Sequence, residues 1–150
     1  MRTYGNDFAV ACLGTGIFPS VKLAQAALES GWGKSVAGNN LFGIKAAGSH
    51  TPYWNGDYVT SRTSEWTGSG YEGQTSRFRK YATVGDSVKD HTYFLQQYSR
   101  YAKVFKASTP EEQAKALQEA GYATDPNYSG KLISIINTYG FKQFDEKKNS

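Results

Sequence analysis

The chain has 150 residues, a length at which one domain buries roughly two thirds of the surface its unfolded form exposes. Hydrophobic content of 39% beside 20% charged residues excludes a disordered or fibrous chain, and no apolar run approaches the ~20 residues needed to span a bilayer. Cys12 is the single cysteine, so no internal disulfide forms, and no Cys/His spacing matches a structural zinc site; neither a metal nor a cofactor is expected.

In chain order, the first apolar run, Phe8 to Leu13, is too short for an export leader, and Asp7 stands where such a leader carries positive charge. A buried helix is the better reading. Pro19, followed by Val21, Leu23, Ala24, Ala26, Ala27 and Leu28, predicts a helix with proline in its first turn and an end at Gly31. Its apolar residues occupy nearly every face, which makes it a central helix. From Ala46 to Ser76 the composition turns to Gly, Ser, Thr and aromatics, with alternation around Tyr58 to Thr63 and Ser76 to Tyr81. That is a small sheet lobe, with Thr67-Gly68-Ser69-Gly70 as its turn.

Helical patterning returns after Gly85, where Ser87 and Asp90 read as a capping pair ahead of Tyr93, Phe94 and Leu95. Thr109-Pro110-Glu111-Glu112 is a stronger start: Thr109 caps free amides, Pro110 fits the first turn and Glu112 reaches back. Gly121 ends that helix, Asp125-Pro126 opens the last, and Gly140 closes it, with a frayed polar tail from Asp145 to Ser150. The expected architecture is α+β, mainly α, in one domain over 1–150. A helical body covers about 1–45 and 82–144, and an inserted β-lobe at about 46–81 flanks a cleft suited to a long polymer.

Two features bear on what fills that cleft. Net charge is +4, and from Arg77 to Lys106 seven basic residues face only Asp86 and Asp90, which suits an anionic partner. Nucleic acid and an acidic cell wall both qualify by charge, but no base-reading motif accompanies the cations, so no specific nucleic acid is expected. Aromatics make up 15% of the chain, and Trp32, Trp54 and Trp66 offer faces on which sugars stack. His50 and His91 are isolated in sequence and read as structural or solvent-facing.

Glu29 is placed where stability argues against it. At the carboxyl end of a buried helix the macrodipole and the apolar neighbours both disfavour a carboxylate, and both raise its pKa. A proton donor near neutral pH needs that environment. The other reading is a side chain that swings into solvent, and physics alone leaves the two open.

Leu23-Ala24-Gln25-Ala26-Ala27-Leu28-Glu29-Ser30-Gly31-Trp32-Gly33, followed by Asn39-Asn40-Leu41-Phe42-Gly43-Ile44-Lys45, resembles the motif of glycoside hydrolase family 73. That family comprises the peptidoglycan β-N-acetylglucosaminidase domains of bacterial autolysins, flagellar-rod peptidoglycan hydrolases and phage lysins. Phe78-Arg79-Lys80-Tyr81 and Gly121-Tyr122-Ala123-Thr124-Asp125-Pro126-Asn127-Tyr128 resemble its later motifs in the expected order.

The resemblance implies a lysozyme-like fold and an endo-β-N-acetylglucosaminidase that cuts the β-1,4 bond after N-acetylglucosamine. It implies Glu29 as general acid and a second acid in the sheet lobe, where Thr63-Ser64-Glu65-Trp66 selects Glu65; Asp57 and Glu72 are the nearby alternatives. It also implies Tyr122 on the cleft floor beside the acid, and sugar contacts from Trp32, Asn40, Phe42, Gly43, Trp66 and Tyr128. Carboxyl groups ~5 Å apart favour a covalent intermediate and a gap of roughly 6.5–9.5 Å favours inversion, while the substrate's own N-acetyl group is a third nucleophile. The expected partner is the glycan strand, met by a monomer at the cell wall outside the membrane. With no leader in the chain, release by a phage or origin in a larger exported protein is the expected route. The alternatives are a muramidase or lytic transglycosylase on the same fold, and a non-catalytic glycan-binding module.

Overall fold

A computed structural model describes residues 1–34, 36–66 and 68–149, and the side chains of these except 62–66, 71, 72, 74 and 146–149. The helices and strands run in the order α1 (Gly5–Cys12), α2 (Pro19–Ser30), β1 (Tyr58–Trp66), β2 (Tyr71–Arg79), α3 (Val84–Gln96), α4 (Pro110–Glu119) and α5 (Tyr128–Tyr139). A 3₁₀ segment, Ser99–Lys106, joins α3 to α4, and another, Phe141–Asn149, follows α5. The fold is α+β and mainly helical, with one two-stranded sheet among the described residues.

α2 is the axis of the body. All of its residues are buried except Leu28 and Glu29, because α1, α5 and the Phe141–Asn149 segment pack around it. Burying side chains such as Val21 and Leu23 contributes about 1.5–3 kcal/mol each. Pro19 occupies the first turn as expected, and Gly31 ends the helix at φ +58°.

Asp145, the first residue of the tail expected to fray, is instead anchored, while Ser150 and the side chains of 146–149 lie outside the described residues. Asp145 accepts hydrogen bonds from the Ser20 amide at 2.8 Å and the Ser20 hydroxyl at 2.6 Å. Its carboxylate thereby satisfies an orphan donor at the positive end of α2, a contact that no local pattern announces.

β1 and β2 form an antiparallel hairpin from Tyr58↔Arg79 to Trp66↔Tyr71. Gly68 supplies a positive φ of +92° in the connection, and Thr67 lies outside the described residues. The lobe is tied to the body through Asp90 of α3. Its carboxylate accepts from Thr51 Oγ1 at 2.6 Å, from Arg79 Nη1 at 2.8 Å and from the Tyr81 hydroxyl.

Asp90 is therefore a clasp and not a helix cap. Thr83 is the cap of α3, accepting from the Asp86 amide at 3.1 Å, while Ser87 donates to the Val84 carbonyl. The pattern Thr83-x-x-Asp86 carries the capping chemistry four residues upstream of Ser87. Thr109 caps α4 as expected, but Glu112 reaches the amide of Ser108 and not that of Thr109. The last helix starts at Tyr128, later than expected, because Asp125 turns its carboxylate onto the Asn127 amide at 2.8 Å and forms a turn first.

No helix among the described residues is long and apolar enough to cross a membrane.

Candidate active site

Glu29 sits in the last turn of α2, and the left-handed turn at Gly31 leads the chain away from it. Both the Gly31 and Trp32 amides donate to the Ala27 carbonyl, the latter at 2.9 Å, which locks the turn. Glu29 is left open to a groove of about 330 Å³ whose walls include Phe42, His91, Arg100 and Tyr122. The side chain is exposed to the groove, yet the walls withdraw water from the carboxyl and push its pKa above the usual 4.5. A raised pKa keeps the proton to higher pH, the condition for an acid catalyst.

Behind the groove wall runs a buried polar chain. Tyr122 Oη and His91 Nε2 are hydrogen-bonded at 2.7 Å, and His91 Nδ1 meets the Nζ of Lys22. Lys22 is wholly buried, and that burial lowers its pKa from 10.5 to about 7. Burial, then the Lys22 charge, holds His91 well below its ordinary value, so its imidazole is neutral. His91 also stacks on Phe42 with ring centroids 4.1 Å apart. When Lys22 donates to Nδ1, the neutral imidazole carries its proton on Nε2 and gives it to Tyr122 Oη, and in that tautomer the phenolic proton is available to the groove. Burial raises the Tyr122 pKa well above 10, with Tyr128 and Glu29 adding to the rise, so Tyr122 stays a donor.

The expected site residues divide by position. Glu29, Phe42 and Tyr122 line the groove together. Asn40 is buried and spends its amide on backbone: it donates to the carbonyls of Ile44 at 2.9 Å and Arg79 at 3.1 Å, and accepts from the Phe42 and Ile44 amides. It thus shapes the loop that presents Phe42. Gly43, at φ +64° and exposed, turns that loop where a side chain would be strained.

Tyr128 is buried behind Tyr122, stacked on it at 5.6 Å and accepting from Gln25 at 3.1 Å. Trp32 lies 4.5 Å from the ring of Tyr139, against α5, and Trp54 is buried under the Arg79 guanidinium at 4.0 Å. Neither borders the groove. Asp57 is exposed beside the start of β1. Glu65 pairs with Glu72 in the hairpin register, but the side chains of Glu65, Trp66 and Glu72 lie outside the described residues.

Sequence reasoning gave no site role to Lys22, His91 or Arg100; of the two readings offered for His91, structural or solvent-facing, the structure has it buried. A signal for Lys22 was present, because a lysine in the middle of a helix with apolar residues on every face has no route to solvent. For His91 it was weaker: it occupies the α3 face that also carries Val88 and Leu95.

Comparison with known proteins bears on the family. Residues 5–141 match the family described as mannosyl-glycoprotein endo-β-N-acetylglucosaminidase. The exo-glucosaminidase LytG of Bacillus subtilis is 38% identical over 138 residues, covering 87% of this chain and 47% of LytG. The peptidoglycan hydrolase FlgJ of Vibrio parahaemolyticus is 38% identical over 142 residues, covering 90% of this chain and 44% of FlgJ. The chain thus spans about half the length of these curated relatives. The catalytic domain of the autolysin Auto from Listeria monocytogenes superposes with a TM-score of 0.78 at 33% identity, over 96% of this chain and 84% of that one. With this fold, this groove and these matches, the chain belongs to the glucosaminidase family of glycoside hydrolases, family 73.

Proposed function

We infer that the protein hydrolyses the β-1,4 bond between N-acetylglucosamine and N-acetylmuramic acid in bacterial peptidoglycan, as one catalytic unit acting on the cell wall. The observation that carries this reading is the position of Glu29: an acid with a raised pKa at the carboxyl end of the buried helix, open to a groove walled by Phe42 and Tyr122. In this reading Glu29 gives its proton to the glycosidic oxygen as the bond to C1 breaks. Water then adds to C1, either directly or after a covalent or acetamido-bridged intermediate, and surrenders a proton to a carboxylate of the site, so that a C1–OH bond replaces the glycosidic one. Glu65, on the hairpin, is the proposed second acid, with Asp57 and Glu72 as the other acids of the lobe. Tyr122 donates to the acetamido carbonyl or to the attacking water.

Mass spectrometry of digested peptidoglycan tests the reading, with the parent, Glu29→Gln and Glu65→Gln compared side by side. New reducing ends of N-acetylglucosamine support it. Reducing-end muramic acid, or its anhydro form, identifies a muramidase or transglycosylase instead. Products of mixed length mark internal cleavage, and disaccharides released singly mark exo action. If the parent yields no new ends while Glu29→Gln binds sacculi equally, the protein is a binding module.

A further inference from the structure

The 3₁₀ segment Ser99–Lys106 carries a feature that hydrolysis does not use. With three residues per turn, side chains at i and i+3 eclipse, so the segment divides into rows. Tyr101 and Val104 form one row, buried in the core. Arg100, Lys103 and Lys106 form the next, and all three are exposed. At a rise of about 2.0 Å per residue their positions stand roughly 6 Å apart along the segment.

The three cations line a trough of about 410 Å³ whose opposite wall is α4, with Ala116, Ala120 and one acid, Glu119. Arg100 borders both this trough and the Glu29 groove. Its guanidinium lies 4.8 Å from the Tyr101 ring and 5.4 Å from the Tyr98 ring, contacts that pre-orient it. Lys103 and Lys106 also favour the negative end of the segment's dipole. That role accounts for neither Arg100 nor the trough.

We propose that this trough binds the carboxylates of an extended acidic peptide stem carried on the glycan strand that lies in the groove. Several carboxylates carried along one short stem can meet successive cations of a row whose members stand roughly 6 Å apart. Because Arg100 joins the two depressions, an anion tethered to the glycan suits the trough better than a free polymer does. Each exposed ion pair is weak alone, so the row acts by number and is sensitive to salt. The proposal rests on the glycan reading above, but its test measures binding and not turnover.

The test is the Kd of Glu29→Gln protein for labelled N-acetylglucosamine–N-acetylmuramic acid oligomers, with peptide stems intact or removed by an amidase, read by fluorescence anisotropy. Stem-bearing oligomers are expected to bind roughly three- to thirty-fold more tightly at low salt, as three exposed ion pairs allow. That advantage should collapse near about 0.5 M salt and in a Lys103→Gln/Lys106→Gln double variant. Equal affinity for both oligomers overturns the proposal, as does an advantage that survives the double substitution. Tighter binding of polyglycerol phosphate than of stem-bearing glycan assigns the row to a phosphodiester polymer and overturns it too. Binding with stem preference but no hydrolysis by the parent defeats the enzymatic reading alone. No binding of either oligomer defeats both.

Discussion

His91 Nε2 lies 2.7 Å from Tyr122 Oη, so a buried imidazole on α3 holds a phenol at the wall of the groove. The opposite ring nitrogen meets the buried amine of Lys22, and the imidazole face rests on Phe42. Three elements thereby set one hydroxyl. His91→Phe keeps the stack but loses both nitrogen contacts, leaving Tyr122 undirected and Lys22 without this partner. A kcat roughly tenfold lower is expected from misplacement of the phenol, together with a stability loss of about 1–3 kcal/mol from the stranded amine. Tyr122→Phe should reproduce the kinetic loss with little of the stability loss. Kinetics on peptidoglycan and urea denaturation separate the two, and unchanged kcat in both variants rules out the directing role.

Glu29 separates activity from stability. Glu29→Gln should lower kcat at least ~10²-fold, as loss of a general acid does. Its carboxylate opposes the negative end of α2, so the same change should leave Tm equal or slightly higher at neutral pH. A variant that loses both activity and stability points to a structural role for the acid.

The pH dependence follows from the same residue. Its folded pKa lies above 4.5, so the proton needed for catalysis is present below that raised value and is lost as pH climbs through it. The kcat/KM profile should fall on its basic side with this pKa. If residual activity of Glu29→Gln keeps the same basic limb, another group sets it.

Lys22 imposes a slope on stability. Its pKa falls from 10.5 to about 7 on folding, so between these values the unfolded chain binds the extra proton. Stability should rise with pH across that window, by up to about 1.4 kcal/mol per unit from this group, and level off above pH 10.5. Lys22→Met should flatten the rise relative to the parent. Denaturation midpoints at pH 7, 8 and 9 for both proteins check this, and parallel curves exclude it.

Asp90 holds the lobe. Asp90→Ala removes the acceptor shared by Thr51, Arg79 and Tyr81, leaving a largely buried guanidinium without its carboxylate. The expected cost is about 3–5 kcal/mol, accompanied by a higher KM because the hairpin loses its side-chain tie to α3 while keeping its contacts with the 40–46 loop. A variant as stable as the parent would show that the hairpin docks by other contacts.

Much of the fold was legible because the signals are local. Pro19, Gly31, Thr109-Pro110 and Gly140 act on amides and carbonyls within a few positions, so chain order alone reveals them. Where local signals competed, order misled: Ser87 and Asp90 looked like a cap while Thr83, just upstream, took that role and Asp90 went to the lobe.

By itself the sequence determined a mainly helical body, an inserted hairpin, and an acid at the carboxyl end of a helix too apolar to lie on the surface. Only the tertiary structure decided what surrounds that acid. Lys22 and His91 are 69 positions apart, His91 and Tyr122 are 31 apart, and Asp145 reaches back 125 positions to Ser20. No periodicity encodes such pairs, because they arise when separate helices bury their faces against one another. The side chains trapped between those faces must then satisfy one another in place of water.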